Sequence, residues 1–183
     1  MAWDEEKFSR FLEAVLQMAR GDLRGYGYRH VIFPYPPKEE PAAIQALRTL
    51  PSLMSQRGRQ ATVLPVSRFV AKALERYARR PLGDREDYQR LETDLSDPQD
   101  GLAAMAAKVC AQEIRSVSSD VVALGRLGAL YPFAHVSTFL EHLQRNGVQT
   151  TLAVAYPGTA EGTRLSFLGV LDPTGGYRGH VVT

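Results

Sequence analysis

One cysteine, Cys110, is present in 183 residues, so no intrachain disulfide framework can brace the fold. Histidines number four, and the two nearest candidates for a metal pair, His135 and His142, stand seven residues apart with Glu141 beside the second. A zinc pair on one helix prefers an i, i+4 spacing and a third ligand, so no metal site is expected. No Gly-x-x-x-x-Gly-Lys-Ser/Thr run occurs. Gly125-x-x-Gly lacks both the lysine and the hydroxyl of a phosphate loop, and Gly25-x-Gly27 precedes the first strand instead of following it. No cofactor is expected. A Gly-x-Ser-x-Gly elbow is missing as well. With no catalytic residue in view, the expectation is a protein that is not an enzyme and does not hydrolyse ATP or GTP. Long apolar runs are lacking, and the start, Met1-Ala-Trp-Asp-Glu-Glu-Lys, is charged where a signal peptide would be apolar. A cytoplasmic monomer or weak dimer, away from membranes, is the expectation.

Hydrophobic residues make up 44% and charged residues 23%, enough apolar material to build a core without metals or disulfides. Asp4 is placed to cap a helix to about Arg20, with Phe8, Phe11, Leu12, Val15, Leu16 and Ala19 on one stripe and Gly21 as the stop. His30 to Tyr35 is the first strand, uniformly apolar at Val31, Ile32 and Phe33, with Pro34, Pro36 and Pro37 ending it. A second helix starts near Pro41, and Pro51 is expected to kink or break it. Ala61 to Val66 is the second strand. Ser67 then caps a third helix with Phe69, Val70, Ala73, Leu74 and Tyr77 inward. Two further helices follow, over about Asp84 to Leu95 and from Leu102 to Val117, forming a helical insertion at about 81–118.

The last third begins with the strand Val121 to Leu124 after Asp120. Pro132 is placed to open a helix carrying Val136, Phe139, Leu140 and Leu143, and Asn146-Gly147 stops it. Thr150 to Tyr156 is the next strand, so this stretch reads as a βαβ unit with a parallel pair. Arg164 to Val170 and Arg178 to Val182, joined by Asp172-Pro-Thr-Gly-Gly, read as a C-terminal antiparallel hairpin. The fold class expected is therefore α/β: a single domain over 1–183, three-layer and Rossmann-like, with a mostly parallel sheet, the helical insertion and that hairpin.

Charge is uneven although the net is only +2. Arg57 to Arg80 holds seven basic residues against Glu75, and Asp84 to Asp100 holds seven acids against Arg85 and Arg90. Arg68, Lys72, Arg76 and Arg79 would line one side of the third helix. That stripe is either a solvated face, neutralised by the acidic helix after it, or an anion-facing surface for nucleic acid. Few aromatics interleave it, which weakens the nucleic-acid reading. Two Tyr-Pro pairs sit at expected strand ends, Tyr131-Pro132-Phe133 and Tyr156-Pro157-Gly158. Their aromatics serve either to pack the core or to anchor a partner.

These residues also carry a family likeness. Asp120-Val-Val, the Gly125-x-x-Gly128-x-x-Tyr131-Pro132-Phe133 run, Tyr156-Pro157-Gly158, Leu165-x-Phe-x-Gly and Tyr177-Arg178 together resemble BrxB, the small component of bacterial BREX phage-defence systems. Ile32-Phe-Pro-Tyr-Pro-Pro-Lys-Glu-Glu is similar to the family's first strand and the acidic turn after it, whereas Arg76 to Ala111 matches only as helical. The resemblance implies a non-catalytic assembly protein that binds the alkaline-phosphatase-like PglZ component and contacts other BREX subunits. Tyr131, Tyr156 and Arg178 are the candidate anchors. The alternative is a degenerate nucleotide- or nucleic-acid-binding α/β domain without hydrolase activity.

Overall fold

The Asp4 carboxylate accepts the Lys7 amide at 2.8 Å and starts α1, Glu5–Arg20, in the computed structural model of the chain. Gly21, at φ +84°, ends the helix in the left-handed conformation that a glycine adopts without steric cost. The structure describes residues 4–23, 27–78, 80, 82–162, 164–170 and 179–183. The fold is mixed α/β, with a mostly parallel sheet and six α-helices among the described residues. The chain groups into two compact units. The first holds Met1–Pro65, Val117–Leu127 and Gln149–Thr183; the second holds Val66–Ser116 and Gly128–Val148.

The first unit contains the sheet: β1 His30–Tyr35, β2 Ala61–Pro65, β3 Val121–Gly125, β4 Thr151–Glu161, β5 Arg164–Phe167 and β6 His180–Val181. Spatial order is β2-β3-β4-β1-β6, all parallel, with β5 antiparallel on β4. Val31, Phe33, Val121, Ala123, Ala153 and Ala155 share a core with Phe11 and Val15 of α1 and with Leu47, Leu50 and Met54 of α2, Glu40–Ser55. Side chains alternate faces along a strand, so Ile32, Val122, Leu124, Leu152 and Val154 point the other way, and they too are buried. Burial on both faces is why these strands read as continuous apolar runs. Each large side chain fully withdrawn from water contributes roughly 1.5–3 kcal/mol.

Two prolines lie inside strands, and the ladder explains both. The Leu152 amide donates to the Arg29 carbonyl, so odd-numbered residues of β1 face β4 and Pro34 faces the opposite side. There β6 pairs only Val31 and Ile32 among the described residues, so its ladder stops short of residue 34. The Pro34 carbonyl instead accepts from the Lys7 ammonium at 2.9 Å. Likewise the Val121 amide donates to the Gln60 carbonyl, which turns Pro65 toward the outer edge of β2. Pro34 thus lies within the strand it was expected to end.

Other expectations are corrected in the same way. A 3-10 turn, Pro37–Glu39, precedes α2, and the helix runs past Pro51 without a break. Leu47, Leu50 and Met54 are all buried around that proline, and their packing outweighs its local cost of about 3 kcal/mol. At the far end, β4 does not stop at Tyr156 but runs to Glu161 and turns back through Gly162, φ +62°, into β5. The hairpin is therefore β4–β5. β6 pairs parallel with β1 because β1 has a free edge beside Val31 and Ile32, where the Val182 amide donates to the Ile32 carbonyl. Asp172 to Gly176, the expected hairpin turn, lie outside the described residues.

The second unit is helical: α3 Val66–Leu74, α4 Arg85–Ser96, α5 Leu102–Ser116 and α6 Val136–Arg145. Ala103, Ala106, Ala107, Cys110 and Ala111 give α5 a small-residue surface on which α3 and α6 pack closely. α3 starts at Val66, directly after β2, so Ser67 lies inside the helix, and its last residue is Leu74. Pro132 does not open α6. A 3-10 turn, Leu127–Leu130, and a cis Tyr131–Pro132 bond come first, and the helix begins at Val136 with His135 in the N-cap position.

Candidate functional site

In the first unit the candidate residues cluster at the carboxyl ends of the parallel strands. Tyr156 is fully buried, with its ring 5.5 Å from that of Phe167 on β5. It is core, unavailable as a surface anchor. Pro157 is buried too, and Gly158 stands opposite Phe167, where a Cβ would collide with the Ser166 carbonyl and the Tyr156 ring. Tyr156-Pro157-Gly158 is therefore the crossing point at which β4 leaves β1 and takes up β5. Gly125 ends β3 in a similarly tight place, where a Cβ would come 3.0 Å from Leu47 Cδ1. At the other end of the strand, the Asp120 carboxylate accepts the Gln60 amide at 2.9 Å and pairs with Arg59 at 3.4 Å, tying β3 to β2.

Three residues at this carboxyl edge, Tyr35, Glu40 and Arg126, lie within the family-like runs but are not among the expected site residues. Tyr35, the last residue of β1, is buried and donates its hydroxyl hydrogen bond to the Glu40 carboxylate in the first turn of α2. Burial first, and then this carboxylate, push the Tyr35 hydroxyl far above its ordinary pKa, and the positive charge of Arg126 partly offsets them. Arg126 follows β3 in the left-handed region, φ +57°, with its side chain exposed. A non-glycine residue there is uncommon, and a strained backbone concentrates at functional positions. The only sequence signal is location: Arg126 sits inside the Gly125-x-x-Gly128 run just past a buried strand.

The second unit holds Gly128, whose carbonyl accepts the Tyr131 amide at 3.1 Å. Tyr131 is 43% exposed, Pro132 is exposed and Phe133 is half-buried. The basic stripe is broken up. Only Arg68 and Lys72 lie on α3; Arg76 follows the helix end, and Arg79, like Arg178, lies outside the described residues. Arg68 pairs with Glu113 of α5 at 2.6 Å, Arg76 points a guanidinium nitrogen at the Met105 sulfur, and Arg80 pairs with Asp94 of α4. Neutralisation of Arg68 thus comes from α5 and not from the acidic helix that follows the stripe in sequence.

Burial and packing account for His142, His30 and Cys110. His142 Nε2 donates to the Pro98 carbonyl at 2.8 Å, whereas His135 is exposed. Burial lowers the His30 pKa to about 4. The Cys110 thiol is fully buried, which raises its pKa to about 12 and keeps it protonated and unreactive. Among the described residues no group of His, Cys, Asp and Glu is arranged to hold a metal ion, and no helix is long and apolar enough to cross a membrane.

No curated protein and no solved structure matches the chain. A family model does, over residues 72–182, and its description is BREX protein BrxB. The matched span runs from α3 through β6, taking in the middle helices, whose likeness to the family is legible only as helical character, and leaving out Ile32 to Glu40. It covers more than half of the chain, which therefore belongs to the BrxB family of BREX phage-defence components.

Proposed function

We propose that this protein is a non-catalytic assembly component of a BREX complex and that it binds a PglZ-like, phosphatase-fold partner. The observation that carries the reading is the family match, and the surface within the matched span suits it. Tyr131 offers a large aromatic side chain, 43% exposed, on the turn ahead of α6. An aromatic held this way loses little entropy on burial, and one or two such residues commonly dominate an interface. Tyr156 drops out as an anchor because it is buried, and Tyr131 is more exposed than the half-buried Phe133 of the same run.

Co-expression with a PglZ-like protein of a BREX system, followed by size exclusion, tests the reading. Co-elution is expected, and Tyr131→Ala is expected to weaken it at least tenfold, about 1.4 kcal/mol. Separate elution of the two wild-type proteins at micromolar concentration overturns the proposal.

A further inference from the structure

Ile32 of β1 and Leu124 of β3 are both in register with Val154 of β4, so the two outer strands end on either side of β4. Adjacent strands are about 4.8 Å apart, which puts the backbones leaving β1 and β3 roughly 10 Å from each other. The connections then run in opposite senses across the sheet. From β1 the chain passes through α2 to β2, three places away in the sheet, whereas from β3 it passes through α6 to the adjacent β4. The sense of progression across the sheet reverses here, and in open α/β sheets ligands bind outside the carboxyl ends of the strands at such a reversal.

Two cations occupy this edge without an ion-pair partner among the described residues: Arg126 after β3 and Lys38 in the turn after β1. The neighbouring acids are Glu39, half-buried in the same turn, and Glu40, whose carboxylate is engaged by the Tyr35 hydroxyl. The exposed guanidinium forms no ion pair among the described residues, and its charge reaches the Tyr35 hydroxyl that engages Glu40. Its backbone is strained in that position, because φ +57° suits glycine and not arginine. Nothing in the packing requires an arginine there, since the side chain is exposed.

We propose that Arg126 is the anchoring residue of a binding site for a small oxyanion ligand, the group being a phosphate or a carboxylate gripped by the guanidinium fork, with Lys38 adding charge from the opposite loop. The site is independent of the assembly reading: it uses the carboxyl edge of the sheet and not the Tyr131 turn, so its failure leaves co-elution with a PglZ-like partner untouched.

Isothermal titration with pyrophosphate, ADP and citrate at constant ionic strength tests the site, with thermal unfolding measured alongside. Wild type is expected to bind at least one probe. Arg126→Gly should lower that affinity by about tenfold or more, while its unfolding midpoint without ligand equals or exceeds that of wild type, because glycine relieves the strain. Arg126→Lys should retain part of the affinity. Preference for ADP over pyrophosphate identifies a nucleotide, equal binding identifies the phosphate group alone, and preference for citrate identifies a carboxylate. Failure of wild type to bind any of the three probes at millimolar concentration overturns the proposal. So does binding that Arg126→Gly leaves unchanged.

Discussion

α1 and α4 begin alike and end up differently held. Each starts at an aspartate whose carboxylate accepts a backbone amide three residues on, Asp4 from Lys7 at 2.8 Å and Asp84 from Asp87 at 3.0 Å, and each carries acids in its first turn. Yet α1 buries six side chains against the sheet of its unit, and α4 buries one, Leu95. Equal local signals at the start of a helix say where it begins and nothing about how firmly it is kept. Retention comes from the apolar face, which α4 lacks.

The comparison is broken most sharply by emptying the core of the well-held helix. Phe11 is fully buried, 5.9 Å from the Phe8 ring and 5.2 Å from that of Phe33, so Phe11→Ala is expected to cost about 3–5 kcal/mol in urea unfolding. Tyr88→Ala on α4, at a position 57% exposed, should stay within about 0.5 kcal/mol. Comparable losses from the two substitutions would refute the contrast.

A smaller effect depends on pH. His30 on β1 is buried and its pKa is lowered from 6.5 to about 4, so the unfolded chain takes up this proton first as pH falls. The stability this neutral histidine contributes is fully present above pH 6.5 and declines toward pH 4, at up to about 1.4 kcal/mol per unit. Urea midpoints at pH 7 and pH 5 should diverge more for wild type than for His30→Gln; equal divergence would show that carboxylates alone set the acid response.

The smallest effect sharpens the comparison directly. Asp4→Ala and Asp84→Ala each remove one cap, worth about 1 kcal/mol. For Asp4 the loss should register in global unfolding. For Asp84 it should show as faster amide exchange confined to α4, because a helix with one buried anchor opens without the rest. A global loss from Asp84→Ala would mean that α4 is tied into the cooperative core after all.

Features with short-range causes are legible in the chain itself. The Asp4 cap, the Gly21 stop, the uniformly apolar β1, β3 and β4 and the Ala-rich α5 all declare themselves within a few positions, since caps, turns and burial patterns act locally. Even the β4–β5 turn has its signal, a glycine between two β-forming runs at Gly162, overshadowed by the stronger Asp172-Pro-Thr-Gly-Gly turn downstream. The family runs are legible as residue types in order, and their roles are not.

Those roles depend on partners far along the chain. Pro34 and Pro65 are tolerated in strands only because of which side each faces, a matter of ladder register. Pro51 survives in α2 because three buried neighbours hold the helix together. Tyr156 reads from sequence as a strand-end anchor and is core because Phe167 closes over it. Arg68 finds its counterion in Glu113, 45 residues away and not on the acidic helix nearest in sequence. Arg126 becomes conspicuous only when its left-handed backbone and its place directly after β3, two residues past the Leu124–Val154 pair with β4, are known. The sequence by itself determined where elements begin and which of them must be buried, because hydrogen-bond capping and hydrophobic patterning act over a few residues. Tertiary structure decided which edge each strand presents and which charges are paired among the described residues, because those depend on register and packing between segments that no local pattern encodes.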